Sequence, residues 1–240
     1  MWSILKKEFS QFFSSLTGYV TILLFLLING LFLFVLNDSS IFEYGYAGMD
    51  KFFDLAPWVF MFLVPAITMR VLSDEIRTGT YELLITMPLT PRKIVLGKFI
   101  AVVFILILII LPSGMYVYTI KALSSTYTID VGGIIGSYIG LLMLAITFAS
   151  IGVACSGSVS NPIVAFLISA FLCLTIYYGF GALGKISVFS GNADYYLDML
   201  GIDFHYRSMS RGVVDTRDLV YFFSVIISSL YITELKLSRR

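Results

Sequence analysis

Of 240 residues, 58% are hydrophobic and 13% charged, against about 45–50% and about 25% in soluble domains, which excludes an ordinary water-soluble globular chain. Sixteen Lys and Arg against fifteen Asp and Glu leave a formal charge of +1, a near-neutral total that argues for no particular partner. The apolar residues fall in six continuous blocks rather than in the alternating pattern of a membrane β-barrel, so the chain reads as an all-α membrane protein.

Residues 1–15 are predicted to form an amphipathic helix in the membrane interface, with Trp2, Leu5, Phe9, Phe12 and Phe13 on one face and Lys6, Lys7 and Gln11 off it. Spans follow at 17–36, 57–72, 94–118, 131–155, 162–183 and 219–235. The first is too long for a signal-peptide core, so no cleaved leader is expected. The second is short and is expected to begin near Phe52 or to kink at Pro65. Residues 37–56 form an external loop with Asp38, Glu43, Asp50 and Asp54 among the aromatic residues Phe42, Tyr44, Tyr46, Phe52 and Phe53. Thr90-Pro91 and Asn161-Pro162 read as capped helix starts with proline at the first helical position. Gly132, Gly136 and Gly140 lie on one stripe of span four, a small-xxx-small pattern that admits another helix closely, within or between subunits.

Residues 184–218 are the longest stretch outside the spans and mix aromatic and charged side chains, which suits short helices over the outer mouth of the bundle. They contain the lone histidine, His205, expected as a surface or packing residue. Asp215 then caps span six, with Asp218 in its first turn. Placing both termini in the cytoplasm collects ten of the sixteen basic residues there, the orientation that the positive-inside bias selects.

Several chemistries lack their residues. Cys155 and Cys173 lie in or beside apolar spans and read as small buried residues. No His/Glu cluster has metal-ligand spacing, and no phosphate-cradling Gly-x-x-x-x-Gly-Lys-Ser/Thr loop occurs. Lys98 and Glu234 sit near span ends, where they can snorkel. An enzyme, a metal site or an ion-coupled carrier is therefore not expected, and no catalytic, cofactor-binding or metal residues are assigned.

The remaining polar feature is residues 74–88, between spans two and three. Gly79 supplies a sharp turn, and Thr80 is placed to cap a short helix with Tyr81 and Glu82 in its first turn. Leu83, Leu84 and Met87 offer a docking face, and Pro88 and Pro91 end the element.

Here the sequence resembles a known family. Met69-Arg70-Val71-Leu72-Ser73-Asp74-Glu75, followed by Arg77-Thr78-Gly79-Thr80-Tyr81-Glu82-Leu83-Leu84, is similar to the Glu…Gly-Thr-x-Glu-x-Leu signature of ABC-2 type permeases. Leu55-Ala56-Pro57-Trp58 and the segment Ser208–Asp218 bring the resemblance nearest to the gliding-motility-associated permeases (GldF type). The resemblance implies six spans, the interfacial helix and a cytosolic coupling helix, with Glu75, Arg77, Gly79, Thr80 and Glu82 at the contact with an ATPase. It implies as partners a pair of ATP-binding subunits, which hold the ATP and magnesium, and a second permease copy or relative, in a bacterial inner membrane. A gate is expected near the external loop and spans two and five. The rival reading is a subunit that uses ATP to remodel an envelope or gliding machine through a periplasmic protein, without moving a solute. Nucleic acid is not among the expected partners.

Overall fold

The computed structural model describes residues 2–36, 48–82, 90–123, 130–184 and 192–238. Among these residues every regular element is a helix, and six helical segments are long and apolar enough to cross a membrane. The expected residues 37–47 of the first external loop, with Asp38 and Glu43, lie outside the described residues, as do Leu83, Leu84, Met87 and Pro88.

Helix α1 (Trp2–Ser14) ends at Ser15, which is extended (φ −98°, ψ 150°), and span one follows as α2 (Leu16–Phe34). The α1 stripe is half-buried at Leu5, Phe9, Phe12 and Phe13, whereas Trp2, expected on the same face, is 74% exposed. Span two, α3 (Asp50–Thr68), starts earlier than its apolar run and continues through Pro57 and Pro65 without breaking. A turn at 69–72 leads into α4 (Ser73–Thr78), which is bounded by Gly79 in the left-handed region (φ +73°). Span three is α5 (Pro91–Ile110), a 3₁₀ turn at Leu111–Ser113, then α6 (Gly114–Leu123). Pro112, which has no N–H to donate, sits in that tighter turn.

Span four, α7 (Val131–Ser158), is the central pillar: 72% of its apolar window is buried, against 22% for spans one and five. It packs against α3, α5, span five and span six. Its buried small residues, among them Gly140, Ala145, Ala149, Gly152 and Gly157, let neighbours approach where lipid supplies no hydrophobic drive. A Cβ on Gly152, for example, would stand 2.0 Å from the Thr68 hydroxyl of span two. Span five is α8 (Pro162–Leu174), a π turn at Thr175–Gly179 and α9 (Phe180–Gly184). Asn161 caps it by accepting from the Ile163 amide at 2.9 Å, but Thr90 makes no such side-chain bond at the start of α5.

Between spans five and six, the described residues form α10 (Asn192–Asp198) and α11 (Ile202–Met209) before span six, α12 (Thr216–Ser238). Helix α11 is a cap, buried at Ile202, His205, Tyr206 and Met209. The Tyr206 hydroxyl donates to the Phe53 carbonyl at 2.7 Å, tying the cap to span two. The glycine stripe of α7 receives this cap rather than a spanning helix. A Cβ on Gly136 would stand 2.4 Å from the Gly212 carbonyl oxygen, and one on Gly140 2.5 Å from the Met209 Cβ. Ser137 adds a hydrogen bond to the Ser210 carbonyl at 2.7 Å. Gly132 takes no part, since its Cβ would meet only the Asp130 carboxylate at 3.4 Å.

Candidate functional site

The end of the bundle that carries α1 and the last turn of α12 holds a buried ionic junction. Lys98, in the second turn of α5, does not snorkel to water: its side chain is 2% exposed. Its ammonium has three donors, and three acceptors lie within bonding distance. These are Glu8 Oε1 of α1 at 2.7 Å, the Val71 carbonyl at 2.7 Å and Glu75 Oε1 of α4 at 2.9 Å. Burying a charge is tolerable only with such compensation. Lys7 adds a longer contact to the same Glu75 oxygen at 3.5 Å, while Glu75 Oε2 is buried without a partner.

The sequence suggests a snorkelling Lys98 and no partner for Glu8, although both residues carry a signal of the pair. Glu8 falls at i+3 from Leu5 and i−4 from Phe12, on the apolar stripe of α1. Lys98 stands within an apolar run. An acid on an apolar stripe and a base in an apolar span are each expensive alone and therefore seek each other.

The turn between span two and α4 has a second brace. The Ser156 hydroxyl, fully buried on α7, accepts from the Leu72 and Ser73 amides, both at 3.0 Å, and donates to the Met69 carbonyl at 2.9 Å. It thus satisfies from a neighbouring helix the backbone groups that a helix break leaves unpaired. Tyr81, 4% exposed, donates to the Leu237 carbonyl at 3.4 Å and ties the following turn to the end of span six.

The expected coupling residues divide by direction. Glu75 faces inward, in the junction. Arg77 faces out, paired with Asp74 at 3.3 Å. The left-handed Gly79 has open space where a Cβ would lie, so glycine is required there by conformation and not by crowding. Thr80 is already helical instead of preceding the helix, and its hydroxyl reaches the Glu75 carbonyl at 3.4 Å. Thr80 and Glu82 are exposed. Inward-facing anchors, Glu75 and Tyr81, and an outward-facing edge, Arg77, Thr80 and Glu82, therefore alternate along the same ten residues, with the left-handed Gly79 in their midst.

No group of His, Cys, Asp and Glu among the described residues could hold a metal ion. Comparison with known proteins yields no matching family model and no matching curated sequence.

Proposed function

We propose that this chain is the membrane-spanning permease subunit of an ATP-driven, ABC-2 type transporter, an exporter linked to gliding motility, with ATP hydrolysis on a separate partner subunit. The single observation that carries this reading is the mechanical layout around residues 73–82. Arg77, Thr80 and Glu82 point outward where a partner can press. Behind them Glu75, Ser156 and Tyr81 join the same segment to α1, span three, span four and span six. A push on the exposed edge would thereby reach four elements at once. The likeness of this segment to the coupling signature of ABC-2 permeases supports the same reading, as do six apolar helices with one cap at the far end.

On this reading the partners are two ATP-binding subunits, which carry ATP and magnesium, and a second permease copy or relative. Both termini lie on the cytosolic side of a bacterial inner membrane. A second reading, in which the complex remodels an envelope machine, draws on Tyr195 and Tyr196 of α10, 58% and 67% exposed on the cap. Tyr195 is a suitable cross-linking site for a periplasmic protein; His205, being buried, is not.

Affinity purification in mild detergent tests the main reading. An ATPase should co-elute, and Glu82→Lys, at an exposed position, should abolish its retention or its stimulation while the permease remains folded. Elution without an ATPase, or full ATPase coupling in Glu82→Lys, would overturn it.

A further inference from the structure

We propose that His205 and Asp218 form a proton-dependent latch that fastens the cap helix α11 to span six. Both ring nitrogens of His205 face oxygen acceptors: Nδ1 lies 2.7 Å from Asp218 Oδ1, and Nε2 lies 2.9 Å from the Met199 carbonyl. A neutral imidazole has one N–H and so can serve only one of them. The pair satisfies both contacts only when it holds two protons, either as imidazolium facing carboxylate or as neutral imidazole facing a protonated carboxyl. Rotating the ring by half a turn gives no escape, because it would set carbons against both oxygens.

Burial makes the second proton matter. His205 is 3% and Asp218 6% exposed, and no other donor within hydrogen-bonding distance reaches Asp218 Oδ2. Water therefore does not replace a lost bond cheaply. The imidazole is stacked on Tyr221 at 4.0 Å and 21° between planes, and the Tyr221 hydroxyl donates to the Leu200 carbonyl at 2.6 Å. Asp218 and Tyr221 of α12 thus grip the turn of residues 199–201 and the first turns of α11 together.

The other charged or titratable groups on the surrounding elements have separate engagements. Asp203 and Arg207 of α11 pair with each other, and Tyr206 bonds to Phe53. Asp215 caps α12 through the Arg217 amide, Arg217 is exposed, and Tyr138 of α7 shares a hydrogen bond with Ser113. On the π turn, Tyr177 hydrogen-bonds Asp203, and Asp198 of α10 lies toward Gly181. Among titratable side chains, Asp218 and Tyr221 contact the ring, with Phe204 packed edge-on against it at 5.3 Å.

The sign follows from the proton count. The fastened form holds one proton more than a pair that has lost it, so raising the pH favours release of the cap. The latch belongs to the end of the bundle opposite the Lys98 junction and does not depend on what drives the chain.

Hydrogen exchange of the full-length protein in nanodiscs tests the latch, read at residues 202–209 from about pH 6 to about pH 9 and corrected for intrinsic rates. Protection should fall with rising pH by up to about tenfold per pH unit, the limit for one linked proton. Asp218→Asn should abolish this step, because the amide can donate to Nδ1 while Nε2–H still serves Met199. Should that variant not fold, His205→Gln, which cannot titrate, should also lack the step. A wild-type profile without a step, or a step that persists in either folded variant, would overturn the latch.

Discussion

The two ends of the bundle each bury an ionic cluster, and the clusters are built on opposite principles. At the end carrying α1, one Lys98 ammonium meets acceptors from three separate segments, including Glu8 of α1, 90 positions away in sequence. At the capped end, His205 and Asp218 are 13 positions apart and fasten one local hairpin of helices. In the first cluster the three donors of Lys98 meet three acceptors, leaving Glu75 Oε2 without a partner, and hold distant elements in register. The second serves both of its contacts only while the pair holds two protons, and so responds to its surroundings. A cluster of the first kind suits the transmission of force, whereas a proton-dependent one suits opening and closing.

The sharpest way to break that contrast is to remove the hub. Lys98→Met leaves two largely buried carboxylates and the Val71 carbonyl facing an apolar side chain. Removing one partner of a buried pair typically costs about 3–5 kcal/mol. The expected outcome is a large fall in the thermal midpoint in detergent, together with release of α1 to proteolysis. Combining Lys98→Met with Glu8→Gln and Glu75→Gln should recover much of the loss, since no unpaired charge then remains. If the triple variant is no more stable than the single one, the junction is not an electrostatic hub.

The cap is held by shape as well as by charge, and a smaller perturbation reads that contribution. Gly136→Val would drive a side chain into the Gly212 backbone, where even a Cβ stands 2.4 Å from the carbonyl oxygen. Gly212 itself is in the left-handed region (φ +85°), so the facing turn is not free to give way. Overpacking of this kind typically costs about 1–3 kcal/mol, and exchange at α11 should rise at every pH. Gly132→Ala, on the same stripe, meets only the Asp130 carboxylate at 3.4 Å and should leave cap exchange unchanged. A pH-independent loosening by Gly136→Val beside a pH-dependent one in wild type would separate the two means of attachment.

These differences mark how far the sequence could be read. The six spans were legible because hydrocarbon demands long apolar runs, and their ends shifted by a few residues where capping and proline chemistry, not apolarity, set the boundary. Span two shows this most plainly: Asp50, Lys51 and Asp54 belong to its first turns, and hydropathy alone places them outside. The glycine stripe was visible as a close-approach surface, but its occupant was not. A period of four residues says that something packs there, and only the tertiary fold shows Met209 and Gly212 doing so. Ser156 left no trace in the sequence, since a serine in an apolar helix ordinarily bonds to its own helix, and its three bonds to the span-two turn exist only once the spans assemble. His205 was likewise opaque, because a lone histidine gains meaning from Asp218 and the Met199 carbonyl, which the chain brings together by a turn that no residue pattern announces.

The smallest expected effect lies one turn from the latch and has the opposite pH sign. Asp215 is fully exposed and caps α12, accepting from the Arg217 amide at 3.0 Å and from the Thr216 hydroxyl at 3.3 Å. The Arg217 amide bond is the main reason its carboxyl sits below the usual carboxylate value. A group whose folded value is depressed stabilises the fold above its unfolded value and loses that contribution as pH falls through the folded one. Acid should therefore fray the first turn of α12, whereas alkali should release α11 beside it. Asn caps helices about as well as Asp but does not titrate there, so Asp215→Asn should keep the first-turn amides protected at neutral pH and remove their acid response below about pH 4. Exchange at residues 216–218 reads this directly. If the acid response survives in Asp215→Asn, the Asp215 cap is not its source.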